Sequence, residues 1–268
     1  MKRVERLVGV SNIERELLFR KWLEKKQVDE LIFDLDGTIS NTYPPFLGIY
    51  RMAMEIFAVE YGNKHDTAIE ALERLNKESF NIKGVNPNRW EWILDQTELE
   101  LGSVNKEVKK CALEKFGEMY KVPLEMIPGA EETLLFVRKT EHKPRIVTLA
   151  NEPWSRKKYN WMLREIMPWE DVYIVDENGR KGPEQWMRSM EYFRVEPERV
   201  MVVGDSYSSD IAPCEKIGVR TRVLVRNQYS DWGSLQESEK DSDTYLINDI
   251  KQLMDLGGEL LRHKTVFR

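Results

Sequence analysis

Two aspartates two residues apart, Asp34 and Asp36, are the first residues in this chain whose types and spacing could do chemistry. They follow the short apolar run 31–33, and Gly37 behind them favours a turn. Side chains two residues apart in an extended backbone lie on the same face. The pattern therefore predicts two carboxylates directed to one side at the end of a buried strand.

A second pair of aspartates follows a later apolar run, residues 200–203. Asp205 comes directly after Gly204, and Asp210 lies five residues further on, where a helix is expected to begin. Four carboxylates at one edge of a sheet would repel one another, so we expect a hard divalent cation with oxygen ligands between them. When a phosphate completes the coordination shell, Mg²⁺ is the favoured ion.

These groups can meet only if the strands that carry them run parallel in one sheet. Apolar runs alternate with helical stretches through the second half of the chain, which is typical of an α/β fold, a Rossmann-like open parallel sheet with helices on both faces. Ligands of such sheets bind beyond the carboxyl ends of the strands. The predicted strands cover residues 31–33, 145–149, 171–175, 200–203, 221–225 and 245–247, and the predicted helices cover 130–139, 153–166, 183–193 and 210–217.

Residues 43–125 show helical periodicity only and predict an inserted all-helical domain. Pro44-Pro45 at its entrance and Pro128-Gly129 past its exit are typical of crossings between domains. Residues 29–42 and 126–268 then form the α/β core domain.

Residues 1–28 are predicted to be an N-terminal helical extension. Ser11 and Glu14 have the spacing of a capping box at the start of a helix over 11–26. The apolar stripe of that helix is expected to contain Ile13, Leu17, Leu18 and Trp22.

Composition favours a globular protein of a reducing compartment. Of the 268 residues, 41% are hydrophobic and 32% charged, which argues against extended disorder and against a membrane span. The net charge of −5 provides no basic surface for nucleic acid. Cys111 and Cys214 are too few and too far apart for a disulfide framework, and no secretory signal is visible, so we expect a cytoplasmic protein.

Four segments in order, FDLDGT, IVTLAN, RKGP and VVGDSYSSD, resemble the four ordered motifs of the haloacid dehalogenase superfamily. The resemblance covers residues 29–268, and its first and fourth segments are the specific ones. It implies a phosphatase whose helical insertion, 43–125, is a cap that closes over the site and excludes water.

The resemblance also implies roles for the aspartates. Asp34 would attack phosphorus and form a covalent aspartyl-phosphate, and Asp36 would act as general acid/base. The metal ligands would be the Asp34 carboxylate, the Asp36 backbone carbonyl and Asp205. Asp210 would support the Mg²⁺ through water or directly, or it could cap the helix over 210–217.

Lys181 corresponds to the family's lysine, which binds the transferring phosphoryl group and balances the charge of the nucleophile. Lys157 and Lys158 are the substitutes should Lys181 fail. Thr148 is the expected hydroxyl of the second motif, although a register set by Asn151 would put Ala150 in that position. The substrate-binding residues implied by the resemblance are Gly37, Thr38, Thr148, Asn151 and Lys181.

The predicted partner is a small phosphorylated metabolite, with neither nucleic acid nor a membrane involved. Tyr43, Tyr50, Arg89, Trp90 and Trp92 could reach a substrate from the cap, but aromatic residues at helical spacing are more often core, so none is assigned to the site. A dehalogenase is disfavoured because Asp36 is present. A phosphomutase, and a non-catalytic binding or scaffold protein that kept the fold, stay open as alternatives.

Overall fold

The computed structural model describes residues 1–175, 181–226 and 243–262. Residues 176–180, 227–242 and 263–268 lie outside the described residues, and they include Arg180 of the third motif and parts of the predicted core domain.

A seven-stranded parallel sheet organises the core, which confirms the predicted fold class. The strand order is β1-β7-β6-β5-β2-β3-β4. The strands are β1 Lys2–Arg3, β2 Glu30–Asp34, β3 Lys143–Leu149, β4 Val172–Val175, β5 Val200–Gly204, β6 Thr221–Val225 and β7 Thr244–Ile247.

Strand β2 is an interior strand, between β5 and β3, and is buried on both faces. Phe33 packs in a core cluster on one face, whereas its neighbour Ile32 packs in a second cluster on the opposite face. Along the chain, β2 is followed on one side by β3 and later on the other side by β5. The chain therefore changes direction across the sheet next to β2, which is where open α/β sheets bind ligands.

Helices cover both faces of this sheet. The Phe33 face is covered by α1 Asn12–Lys26, α6 Ala130–Lys139, α7 Glu152–Met162 and the 3₁₀ segment Ile250–Gly258, and the Ile32 face by α8 Pro183–Phe193 and α9 Ala212–Lys216. A short helix, α10 Glu259–Arg262, follows the 3₁₀ segment.

Two of the predicted helices are shorter in the structure than the sequence suggests. The helix expected over 153–166 ends at Met162, where turns lead the chain towards Pro168. The helix expected over 210–217 is a π-helical turn, Tyr207–Ile211, followed by α9 with Pro213 in its first turn.

Four of the helices between β2 and β3 have a hydrophobic core of their own. They are α2 Tyr43–Ala58, α3 His65–Lys83, α4 Arg89–Leu101 and α5 Lys106–Glu118. Phe57, Leu72 and Ile93 are buried at the centre of this bundle. The stretch that the sequence assigns to a cap is thus a helical bundle with short connecting loops, and we call residues 43–125 the cap below.

The N-terminal residues are packed into the sheet domain. Strand β1 pairs with β7, and α1 begins with the predicted capping box, in which Ser11 Oγ accepts from the Glu14 backbone NH at 3.3 Å. The predicted stripe of α1 is only partly right, because Ile13 and Leu17 are 80% and 51% exposed. The buried face consists of Phe19, Trp22 and Leu23.

Among the residues that the structure describes, none of the helices is both long and apolar enough to span a membrane.

Candidate active site

The first aspartate, Asp34, is the last residue of β2 and is buried at the carboxyl edge of the sheet. The ammonium of Lys181 donates to its Oδ1, and the hydroxyl of Thr38 donates to its Oδ2 at 3.2 Å. Burial raises the pKa of Asp34 to about 7; Lys181 opposes this shift and Asp210 adds to it. Three of the predicted site residues thus meet at one carboxylate.

A tight turn after β2 holds the next groups in place. Gly37 has φ +88°, a conformation that other residues rarely adopt, and a β-carbon at this position would collide with the Asp205 carboxylate. Thr38 follows and places its hydroxyl 3.4 Å from Asp205 Oδ1 as well as near Asp34. The turn therefore brings β2 and the residues after β5 into contact.

Asp205 and Asp210 follow β5 and face the same space. Asp205 is almost fully buried, and burial together with Asp34 and Asp210 raises its pKa well above the ordinary value. Asp210 Oδ2 accepts from the backbone NH of Ser206 at 3.1 Å, and its Oδ1 lies 2.6 Å from Lys181 Nζ. The helix-cap interpretation of Asp210 is not what the structure shows, because no side chain caps α9.

Asp34, Asp205 and Asp210 form a compact group that fits a divalent cation. Each offers an oxygen, and these oxygens lie within 4.8 Å of one another. Asp210 Oδ1 is buried and lies beside Lys181 Nζ, whose ammonium offsets part of the negative charge of the group. Oxygen donors with this surplus of negative charge suit Mg²⁺.

The second carboxylate of the first motif, Asp36, has a different environment. Lys158 donates to Asp36 Oδ2 at 2.5 Å, Thr42 donates to Oδ1 at 2.6 Å, and Thr148 lies 3.5 Å from Oδ2. Burial by itself would raise the pKa of Asp36, but Lys158 and Thr42 outweigh it and hold the pKa below its ordinary value. Two carboxylates two residues apart therefore have pKa values shifted in opposite directions.

Lys158 is a site residue that the sequence offers only as a substitute for Lys181. Its side chain is fully buried, and it shares one face of α7 with the buried Trp154 and Met162, four residues before and after it. A lysine at an apolar helical position is the signal that could have distinguished it from the exposed Lys157.

The second motif contributes Thr148 through a buried hydroxyl that faces Asp36. Asn151, the other predicted residue of this motif, is the N-cap of α7, where its Oδ1 accepts from the Trp154 backbone NH at 2.9 Å. Thr148 thus lies next to Asp36, whereas the Asn151 side chain caps the N-terminus of α7.

Tyr43, the first residue of the cap, also reaches the site. Its hydroxyl lies 3.4 Å from Asp205 Oδ2, and burial together with Asp205 raises its pKa. Trp90 differs, because it stacks on Phe116 with ring centroids 4.3 Å apart inside the cap core. Tyr43 marks the point where the cap and the aspartates meet.

Comparison with known proteins agrees with this geometry. A family model described as haloacid dehalogenase-like hydrolase matches residues 28–218. A haloacid dehalogenase-like family hydrolase from Xanthomonas campestris has a similar structure, with a TM-score of 0.69 at 16% identity over 98% of this chain and 99% of its own.

Two characterised relatives match most of the chain. A glyceraldehyde 3-phosphate phosphatase of Pyrococcus furiosus is 27% identical over 86% of this chain and 93% of its own length. The pyrophosphatase PpaX of Halalkalibacterium halodurans is 26% identical over 87% of this chain and 98% of its own length. The family match extends from β2 to the loop after α9 and includes all four aspartates, and the chain belongs to the haloacid dehalogenase-like hydrolases.

Proposed function

We propose that this protein is a Mg²⁺-dependent phosphatase that hydrolyses a small phosphorylated metabolite through a covalent aspartyl-phosphate on Asp34. The observation that carries the proposal is the buried group of Asp34, Asp205 and Asp210 with Lys181 bound to the nucleophile. The activities named for the two relatives, on glyceraldehyde 3-phosphate and on pyrophosphate, support a small phosphate-bearing substrate.

Asp34 is the proposed nucleophile because its carboxylate is fixed at the end of a rigid strand. Thr38 and Lys181 hold its two oxygens, which orients the carboxylate for attack on phosphorus. Lys181 is also positioned to bind an oxygen of the transferring phosphoryl group and to offset the negative charge that gathers there.

Asp36 is the proposed acid and base. In the first half of the reaction it gives a proton to the leaving oxygen, and in the second it takes a proton from the water that attacks the phosphorus of the aspartyl-phosphate. The contact with Lys158 favours the ionised carboxylate, which is the form required of the base. Thr42 and Thr148 fix its orientation.

The residues that would hold Mg²⁺ are the Asp34 carboxylate, the Asp36 backbone carbonyl and Asp205, with Asp210 bound directly or through water. The ion would supply positive charge that keeps Asp34 ionised in a buried site where its pKa is about 7.

We also propose a cytoplasmic location. Both cysteines are free thiols in the structure, with Cys111 exposed and Cys214 buried, as suits a reducing compartment.

Hydrolysis of p-nitrophenyl phosphate with and without Mg²⁺ tests the proposal. We expect Mg²⁺-dependent turnover that falls at least about 10³-fold in Asp34→Asn, because the amide is not a nucleophile. Asp66→Asn is a matched control, since its side chain is 99% exposed on the cap. Equal activity of Asp34→Asn and the control would rule out Asp34 as the nucleophile. Turnover that is the same with and without Mg²⁺ would rule out a requirement for the metal in catalysis.

A further inference from the structure

The cap contains a buried cation without an acidic partner. Arg89, the first residue of α4, is 8% exposed and is hydrogen-bonded to the Tyr120 hydroxyl, while among the described residues its Nε and Nη1 have no hydrogen-bond partner. Within residues 1–175, 181–226 and 243–262, no carboxylate pairs with it. A buried arginine is costly unless an anion or hydrogen-bond acceptors satisfy its donors, so Nε and Nη1 are available to a ligand.

Aromatic groups enclose this guanidinium and keep water from it. The rings of Phe80 and Trp90 each lie 4.0 Å from Arg89 Cζ, and Trp90 Nε1 donates to the Tyr120 hydroxyl at 3.1 Å. Burial lowers the pKa of Arg89 to about 10, so the side chain is still a cation at neutral pH. An anion that reached it would meet a desolvated charge, where ionic interactions are strong.

A second orphaned polar atom lies in the same part of the cap. Within the part of the chain that the structure describes, Asn76 Oδ1 is buried without a hydrogen-bond partner. A hydrogen bond with Asn76 and the charge of Arg89 both lower the pKa of the Tyr50 hydroxyl, against the effect of burial, so the three side chains lie together. Arg89 offers donors and Asn76 an acceptor, which is the set needed by a ligand that carries an oxyanion next to a hydroxyl.

This part of the cap adjoins the helix that carries Lys158. Tyr120 contacts α7 twice: its ring lies 5.5 Å from that of Trp154, and its backbone carbonyl accepts from Lys157 Nζ at 3.3 Å. Lys158 on the same helix binds Asp36. A continuous set of contacts thus joins Arg89 to the acid/base of the reaction.

We propose that Arg89, assisted by Asn76 and Tyr50, binds an oxyanion of the substrate other than the transferred phosphoryl group. The substrate class is then a small phosphate compound with a second anionic group, either a carboxylate or a second phosphate. This inference rests on the proposed function and narrows its substrate.

The test compares Arg89→Met and Arg89→Lys with the native protein. The probes are 2-phosphoglycolate, which adds a carboxylate, pyrophosphate, which adds a phosphate, and glyceraldehyde 3-phosphate, which adds neither. We expect Arg89→Met to lower kcat/KM for one of the two anionic probes, relative to glyceraldehyde 3-phosphate, by roughly 10- to 100-fold. Whichever probe is affected identifies the anion, and Arg89→Lys should recover part of the loss because it keeps the charge.

The matched control is Arg74→Met. Arg74 is a cap arginine on the surface, paired with Glu78 and Glu100, and its loss should leave the substrate preference unchanged. A purely structural role for Arg89 predicts the opposite pattern, in which Arg89→Met lowers the melting temperature and leaves the preference intact. That result, or equal preferences in all four proteins, would overturn the inference.

Measuring ligand binding in an inactive variant tests the anion site independently of the proposed phosphatase activity. In Asp34→Asn protein, which is expected to be inactive, thermal shifts with 2-phosphoglycolate, with pyrophosphate and with inorganic phosphate report binding without turnover. We expect the additional shift given by 2-phosphoglycolate or by pyrophosphate to disappear when Arg89→Met is added. If the native protein hydrolyses none of the probes but this shift depends on Arg89, the proposed function fails and the anion site stands; if phosphate alone gives the full shift, the anion site fails.

Discussion

At the scale of single residues, the site depends on two lysines, each bound to one of two aspartates whose pKa values are shifted in opposite directions. Lys181 binds Asp34, and Lys158 binds Asp36. The sequence identifies both aspartates and Lys181 through their order along the chain. The motif order does not separate Lys157 from Lys158, whereas the apolar Trp154 and Met162 at helical spacing from Lys158 do. The contact of Lys158 with Asp36 still depends on how α7 packs against the loop after β2, which no local pattern shows.

Replacing Lys158 tests its contact with Asp36. The low pKa of Asp36 means that this carboxylate stabilises the fold at pH values above about 4, its unfolded pKa, and that the stabilisation is lost as the pH falls through the folded pKa. Lys158→Met leaves the carboxylate without its ammonium, so we expect a loss of about 2 kcal/mol of unfolding free energy at pH 7. This figure is lower than for a fully buried pair because the Asp36 side chain is 28% exposed.

Urea unfolding at pH 7 measures this loss, and Lys157→Met is the neighbouring control with an exposed side chain. Equal stability of the two variants would show that the Lys158–Asp36 contact does not stabilise the fold.

At the scale of elements, helix α1 shows where a sequence pattern and the packing disagree. The capping box at Ser11 was predictable because it is local. The buried face was not, because Ile13 and Leu17 are as apolar as Phe19 and Leu23, and only the position of the sheet and of the 3₁₀ segment selects between them. The pairing of β1 with β7 also joins residues too distant in sequence for any local pattern to reveal.

Glu259 connects α1 to the sheet through Trp22 and Tyr245, and the contribution of this contact to stability should depend on pH. Its Oε2 accepts from Trp22 Nε1 at 2.6 Å and from the Tyr245 hydroxyl at 2.8 Å, and these contacts outweigh burial and lower the pKa of Glu259. A lowered folded pKa stabilises the protein above the unfolded pKa, and this stabilisation disappears as the pH falls through the folded value. We expect Glu259→Gln to cost about 1–2 kcal/mol at pH 7 and much less near pH 3.

Unfolding free energies at the two pH values measure this difference. Glu24→Gln is the control, because Glu24 is an exposed residue of α1 whose ion pair with Arg20 is long, at 3.6 Å. A cost that is as large at pH 3 as at pH 7 would contradict the assignment of the effect to the Glu259 charge.

At the scale of the whole molecule, the fold class was predictable because apolar runs alternate with helical stretches, and the four motifs follow the strand ends in a fixed order along the chain. Their order places Asp34, Lys181, Asp205 and Asp210 at one edge of a parallel sheet, and the structure has them there. The environment of Arg89 inside the cap was not predicted. Arg89 stands in a helical stretch rich in aromatic residues, and its lack of an acidic partner becomes visible only when the bundle is assembled.

The central claim is a phosphoryl group carried by Asp34, and trapping that group tests it most directly. In Asp36→Asn, a substrate with a good leaving group such as p-nitrophenyl phosphate needs little help from an acid to phosphorylate Asp34, whereas the attack of water lacks its base. We expect a phosphorylated protein to accumulate after acid quenching in Mg²⁺, with the added group on the peptide that contains Asp34, and none in the protein that also carries Asp34→Asn. Turnover without a phosphorylated protein, or a phosphoryl group on any other residue, would contradict the account.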